Sequence, residues 1–125
     1  MPDPVSRFHA LVAEAKTRVR EVSVETLAAE LAAASPPVLI DVRETEEFAK
    51  GAIPTARHLA RGVLEGNIEK AVPDLQTDLV LYCAGGNRSA LSADNLQKMG
   101  YARVRSLAGG FGAWRARRVG SSSGA

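Results

Sequence analysis

One stretch, Cys83-Ala84-Gly85-Gly86-Asn87-Arg88-Ser89, combines residue types and spacing that can do chemistry. Cys83 is the only cysteine in the chain. The paired glycines let a loop curl tightly and bring backbone N–H groups to its centre. Arg88 fixes a positive charge at the far end of that loop. From Ser89 onward the residues read as a helix, whose N-terminus adds unpaired N–H donors and a partial positive charge. A thiol in such a place ionises below its free value of about 8.5, and thiolate is the nucleophilic form. A lone cysteine is more often a small buried hydrophobe, but the glycines and Arg88 favour a chemical role. Two chemistries suit the arrangement. One is attack on phosphorus, where the loop wraps three phosphate oxygens. The other is attack on a sulfane sulfur, where the loop holds a thiolate and then a persulfide anion. Loop length separates them, and four residues lie between Cys83 and Arg88.

The loop needs a strand before it and a helix after it. Asp78-Leu79-Val80-Leu81-Tyr82 is an apolar run that ends at Cys83. Strand alternation turns the Tyr82 ring to the face opposite Cys83. Ser89 to Met99 carries the helical pattern, and Gly100 closes it. A second strand, Val38-Leu39-Ile40-Asp41-Val42, is continuously apolar and β-branched up to Asp41, as a strand buried on both faces should be. Arg43 to Gly51 reads as a short helix with acids in its first turn. Ser23 is placed to cap a helix from Val24 to about Ala34, which Ser35-Pro36-Pro37 stops. Glu21-Val22 and Val104 to Leu107 suggest short strands, Arg57 to Ala60 returns to the sheet, and Gly62 to Ala71 suggests a helix. Phe111 to Arg117 reads as a last helix that docks Phe111 and Trp114 in the core. Strands alternate with helices, so the expected class is α/β with a mainly parallel central sheet. Ligands of such sheets bind beyond the carboxyl ends of the strands. Cys83 and Arg43 both lie at such ends and are expected to face one cleft.

At the N-terminus, Val5, Phe8, Val12, Ala15 and Val19 recur at helical spacing over residues 4–20. This amphipathic helix is expected to pack on the domain's own core, with a partner or weak homodimer contact as the alternative. The expected organisation is an extension over residues 1–20, a domain over 21–118, and a Gly/Ser-rich flexible tail over 119–125. The length of 125 residues suits one domain.

Composition excludes several classes. Apolar content of 46% and charged content of 24% are those of a soluble globular chain. No apolar run is long enough to span a bilayer. Met1 to Arg7 has no signal-peptide pattern, and a cytoplasmic, reducing compartment is expected. No Cys/His cluster has zinc spacing, and covalent chemistry on a cysteine thiolate needs neither metal nor organic cofactor, so none is expected. Net charge is +2, unevenly spread. Residues 1–82 hold nine basic and thirteen acidic residues, whereas residues 83–125 hold seven basic residues and the single acid Asp94. The half that carries Cys83 can therefore attract a small anion. No aromatic residues interleave with these cations, so nucleic acid is not an expected partner.

Three signatures in order resemble the single-domain rhodaneses, a sulfurtransferase family. Val38-Leu39-Ile40-Asp41-Val42-Arg43-Glu44 with Glu47-Phe48 and Gly51-Ala52-Ile53-Pro54-Thr55-Ala56 is similar to the first. Tyr82 to Ser89 is similar to the active loop, and Gly100-Tyr101, Val104, Leu107, Gly109-Gly110-Phe111 and Trp114 to the last. The resemblance covers about residues 22–118. It implies a rhodanese-like three-layer fold, with a mainly parallel sheet flanked by helices. It makes Cys83 the nucleophile that carries a persulfide. It assigns the N–H groups of Ala84, Gly85, Gly86, Asn87, Arg88 and Ser89 to ring the sulfur, and Arg88 to bind the anionic donor. Asp41 and Arg43 would support the loop and cleft.

The implied reaction moves a sulfane sulfur from a small anionic donor such as thiosulfate to a thiol, protein or cyanide acceptor. The six-residue loop from Cys83 to Arg88 is one residue shorter than that of related phosphatases. The alternative is a non-catalytic sulfur-carrier or redox-sensing module that docks on a partner. Ala52 and Thr55 replace residues common in the family and are expected to shape a turn. Glu46 and Glu47 set acids at the expected rim, which counts against thiosulfate as the donor. His58 reads as a packing or surface residue, and His9 as an exposed one.

Overall fold

The computed structural model describes the backbone of residues 6–124 and the side chains of residues 6–117. Among the described residues, six helices and five strands follow in the order α1 (Arg7–Lys16), β1 (Arg20–Val22), α2 (Val24–Leu31), β2 (Val38–Asp41), α3 (Thr45–Ala49), β3 (Arg57–His58), α4 (Arg61–Ala71), β4 (Leu79–Tyr82), α5 (Asn87–Lys98), β5 (Val104–Leu107) and α6 (Gly110–Gly124). The strands form one sheet in the order β1-β5-β4-β2-β3. Every pairing is parallel, with Asp41 level with Tyr82 and Leu81 level with Ser106. The α/β class and the three-layer arrangement expected from the sequence are both present.

Side chains of β4 alternate between two cores, as a strand buried on both faces requires. Leu79, Leu81 and the following Cys83 enter one core with Ile40, Val42, Leu64, Ile68 and Leu96, beneath α4 and α5. Val80 and Tyr82 enter the other with Val22, Leu27, Leu39, Ile53, Leu107 and Trp114, beneath α2 and α6. The Tyr82 ring therefore faces away from Cys83, as alternation demanded. Its hydroxyl accepts the Ile53 N–H at 3.0 Å, and burial pushes its pKa well up.

The N-terminal helix is shorter than its apolar period suggested. Ser6 caps it by accepting the His9 N–H at 3.0 Å, and it ends at Lys16 because the chain must turn into β1. The segment is part of the domain's packing. Val12 and Ala15 meet Ala90 and Leu91 of α5. Arg18 grips Asp94 through two hydrogen bonds, Nε to Oδ1 at 3.0 Å and Nη2 to Oδ2 at 2.8 Å. Val19 continues into the main core. Phe8 departs from the expected stripe: it is exposed, as is Leu11. Val5 lies outside the described residues.

At the other end, α6 runs on to Gly124, through most of the stretch expected as a tail. Once a helix is nucleated and docked, each further residue adds a backbone hydrogen bond, even in a Gly/Ser-rich stretch. Arg43 belongs to the turn before α3 rather than to the helix, whose N-cap is Glu44.

Candidate active site

The site forms where β4 ends and α5 begins. Gly86, the N-cap of α5, has φ of +102°, a backbone that L side chains rarely adopt. This turn aims the first N–H groups of α5 back at Cys83. The Gly86 N–H donates to Cys83 Sγ at 3.1 Å and the Ser89 N–H at 3.4 Å. The Ser89 hydroxyl lies 3.5 Å from the same sulfur. Ala84 and Gly85 are exposed at the tip of the loop, while Cys83 itself is 2% exposed. Burial alone would push the thiol up. The Ser89 hydroxyl and the N–H groups of Ser89, Gly86 and Gly85 together outweigh it, and the thiol lies below its ordinary value. The expected ring of donors from Ala84 to Ser89 is thus made by Gly85, Gly86 and Ser89, while Asn87 and Arg88 begin the first turn of α5.

Ser106 is a residue that sequence reasoning did not single out. It is fully buried on β5, and its hydroxyl lies 2.8 Å from that of Ser89. A chain of polar hydrogens runs from Ser106 through Ser89 to Cys83. When Cys83 is a thiolate, Ser89 donates to the sulfur and Ser106 donates to Ser89. Sequence alone offered no signal, since Ser106 sits in an otherwise ordinary short strand.

The C-terminal signature holds the loop from behind. The Phe111 N–H donates to the Cys83 carbonyl at 2.8 Å, and the Gly112 N–H to the Ala84 carbonyl at 3.0 Å. Gly110 is forced at this contact. Its φ is +57°, and a Cβ there would stand 2.4 Å from the Cys83 carbonyl oxygen.

Asp41 and Arg43 form a buried pair one layer away. Arg43 Nη2 reaches Asp41 Oδ2 at 2.7 Å, its Nε reaches Oδ1 at 3.0 Å, and Nη2 also donates to the Gly51 carbonyl at 2.7 Å. The guanidinium lies over the Phe111 ring, 4.3 Å from its centroid. Support of the loop therefore passes from Asp41 through Arg43 and Phe111 to the Cys83 carbonyl. Phe111 is half-buried, packed against the second core with this cation on its ring, and Trp114 is buried in that core.

Arg88 is engaged differently from the expectation. Its fork is closed on Glu47, Nη1 to Oε1 at 2.8 Å and Nη2 to Oε2 at 3.0 Å. The pair forms because α3 and the start of α5 meet at the same end of the sheet. Glu47 is also tied to its own helix, accepting the Glu44 N–H at 2.9 Å. With the Arg88 guanidinium beside it, its carboxyl is held down to about 2. Glu46, its neighbour, is exposed.

His58 stacks on Phe48 with 4.7 Å between centroids, and its Nε2 lies 2.8 Å from the Arg43 carbonyl oxygen, so it packs against the turn. His9 is exposed. Thr55 holds φ of +74° in the turn after Pro54. Among the described residues, no group of three or more His, Cys, Asp or Glu could hold a metal ion. No described helix is long and apolar enough to cross a membrane.

Known proteins are similar to this chain in sequence and in fold. A sulfurtransferase of Allochromatium vinosum is 35% identical over 96 residues, covering 77% of this chain and 88% of that protein. The thiosulfate sulfurtransferase GlpE of Ectopseudomonas mendocina is 40% identical over 79 residues, covering 63% of this chain and 71% of that protein. The structure of RPA3614 from Rhodopseudomonas palustris, described as a protein of unknown function and possible tyrosine phosphatase, superposes with a TM-score of 0.82 at 34% identity. That superposition covers 94% of this chain and 96% of the other. The rhodanese-like domain family matches residues 23–117, which contain the sheet, the Cys83 loop and the residues that brace it, and the chain belongs to that family.

Proposed function

We propose that the protein is a sulfurtransferase that carries sulfur as a persulfide on Cys83. The observation behind this reading is the seat of Cys83 Sγ: N–H donors from Gly86 and Ser89 at the N-terminus of α5, with a thiol below its ordinary value. These donors are preorganised for a sulfur anion and need no rearrangement when charge develops. The Cys83 thiolate attacks the outer sulfur of a donor such as thiosulfate. The donor's S–S bond breaks, and sulfite leaves with the electron pair. The persulfide anion, one atom longer, keeps contact with the exposed loop tip at Ala84 and Gly85. An acceptor thiolate, or cyanide, then attacks the outer sulfur and releases the Cys83 thiolate. A reducing cytoplasm suits a chain whose single cysteine works as a thiolate.

The name given to RPA3614 raises phosphatase chemistry as a competitor. The six-residue loop from Cys83 to Arg88 is one residue shorter than that of related phosphatases, and the Arg88 fork is closed on Glu47, which together favour sulfur over phosphorus. A carrier module that relays sulfur while docked on a partner is the other alternative, and the exposed Phe8 and Leu11 on α1 are where a weak homodimer or partner contact would form.

Intact mass after incubation with sulfane donors tests the reading. Transfer adds one sulfur, about 32 Da, to the wild type as a persulfide, and none to Cys83→Ser. Release of the added sulfur to a thiol over many turnovers separates an enzyme from a carrier. No gain from thiosulfate, polysulfide or an organic persulfide would overturn it.

A further inference from the structure

Arg88 stands within electrostatic reach of Cys83, and its two terminal nitrogens are already closed on a carboxylate. Both its terminal nitrogens bond Glu47, and the Glu47 carboxylate is pinned a third time by the Glu44 N–H. A bidentate guanidinium–carboxylate pair is the strong kind of ionic hydrogen bond, and it fixes both partners in direction. The other arginine braced near the loop, Arg43, is 4% exposed and closed on Asp41. Arg115, 5.9 Å from the Phe111 centroid, stands exposed, where water and salt screen its charge. The Arg88–Glu47 pair sums to zero, and the Cys83 thiolate adds one negative charge. A donor with two negative charges therefore meets a site of its own sign unless it displaces Glu47.

We propose that Glu47 sets the donor class. By filling the anion seat on Arg88, it steers the site to organic persulfides, with at most one charge on the sulfane sulfur, over doubly charged inorganic donors such as thiosulfate. This inference rests on the sulfurtransferase reading above and deepens it. With an organic persulfide the step is balanced within the loop. The Cys83 thiolate bonds to the outer sulfur of R–S–SH, the donor's S–S bond breaks, R–S⁻ leaves, and the proton stays on the transferred sulfur. The leaving group carries one charge, against two for sulfite, so the neutral rim suits it as well.

Steady-state kcat/KM for thiosulfate and for 2-hydroxyethyl persulfide, whose one ionisable group is the persulfide itself, in wild type and in Glu47→Gln, tests the inference. Glutamine keeps one carbonyl oxygen for Arg88 Nη1 and for the Glu44 N–H, and it removes both the charge and the acceptor of Arg88 Nη2, so the fork opens on that side. The ratio of kcat/KM for thiosulfate over that for the persulfide should rise at least tenfold in E47Q, mainly through KM. A second readout is ionic strength. In wild type the thiosulfate rate should climb with salt as repulsion is screened, and in E47Q that slope should flatten or reverse. An unchanged or lower ratio, with both donors loading Cys83, overturns the inference and leaves the sulfurtransferase reading standing. If neither donor loads Cys83 in the wild type, that reading fails and this inference fails with it.

Discussion

Gly110→Ala tests whether the C-terminal signature holds the Cys83 loop in place. A Cβ at Gly110 would lie 2.4 Å from the Cys83 carbonyl oxygen and 2.7 Å from that of Ala84. Both are backbone atoms, so neither can swing aside as a side chain would. The loop and the start of α6 must separate, and the hydrogen bonds from the Phe111 and Gly112 N–H groups to those same carbonyls stretch or break. Each buried bond is worth about 1 kcal/mol net. The left-handed backbone at φ +57° adds about 1 kcal/mol for a residue with a side chain. With the clash itself, the expected loss is about 3–5 kcal/mol, a fall in Tm of roughly 10–20 °C for a domain of this size. Gly85→Ala is the matched control. It lies in the same loop, has open space where its Cβ would go, and should cost less than about 1 kcal/mol. Thermal melts by circular dichroism, with Cys83 alkylation rates below the melt, measure both effects. G110A should also alkylate more slowly at neutral pH, because the N–H groups that hold the thiolate are displaced. A G110A melt within about 3 °C of wild type, or G85A as damaging as G110A, would refute the account of how the loop is held.

Three further outcomes follow from the same geometry. Ser106→Ala should leave the fold intact, within about 1 kcal/mol, yet shift the alkylation pH profile of Cys83 upward, since Ser89 loses the donor that orients it; Ser106→Thr should restore the profile, and an unmoved profile removes Ser106 from the site. Thr55→Gly should raise stability by about 0.5–1 kcal/mol in denaturant melts, because a β-branched residue at φ +74° is strained and glycine is not. Glu47 titrates below its ordinary value of 4.5, so the folded state favours its charged form. Its contribution is complete above pH 4.5 and is lost as pH falls toward about 2. In E47Q that part of the acid-side slope should be absent from pH-dependent melts.

Much of this was legible in the chain. Apolar runs at Val38 to Val42 and Leu79 to Tyr82 fix strands buried on both faces, because only a parallel sheet covered on both sides hides every residue of such a run. The Gly85-Gly86 pair before Ser89 fixes a tight turn into a helix, because only glycine readily takes φ of +102°. Alternation alone put Cys83 and Tyr82 on opposite faces. Contacts between segments distant in sequence were another matter. Glu47 lies 41 residues before Arg88, and nothing local says that α3 and α5 close that pair. Ser106 stands 17 residues after Ser89 and meets it only because β5 lies beside β4. Phe8 looked like core by period, but only Val12 and Ala15 of α1 join the buried cluster with Ala90 and Leu91 of α5, and Phe8 stays exposed.

The sequence by itself therefore determined the candidate nucleophile, the strand–loop–helix that presents it and the α/β class, since each rests on residue type, on local backbone preference or on a pattern of apolar residues. The tertiary structure alone decided how the charges are spent. Arg88, which in sequence is a free cation next to a thiol, is in space one half of an ion pair. That difference leaves the cation beside the Cys83 loop closed on a carboxylate, because the electrostatics of a site depend on what folding brings within 3 Å of each charge.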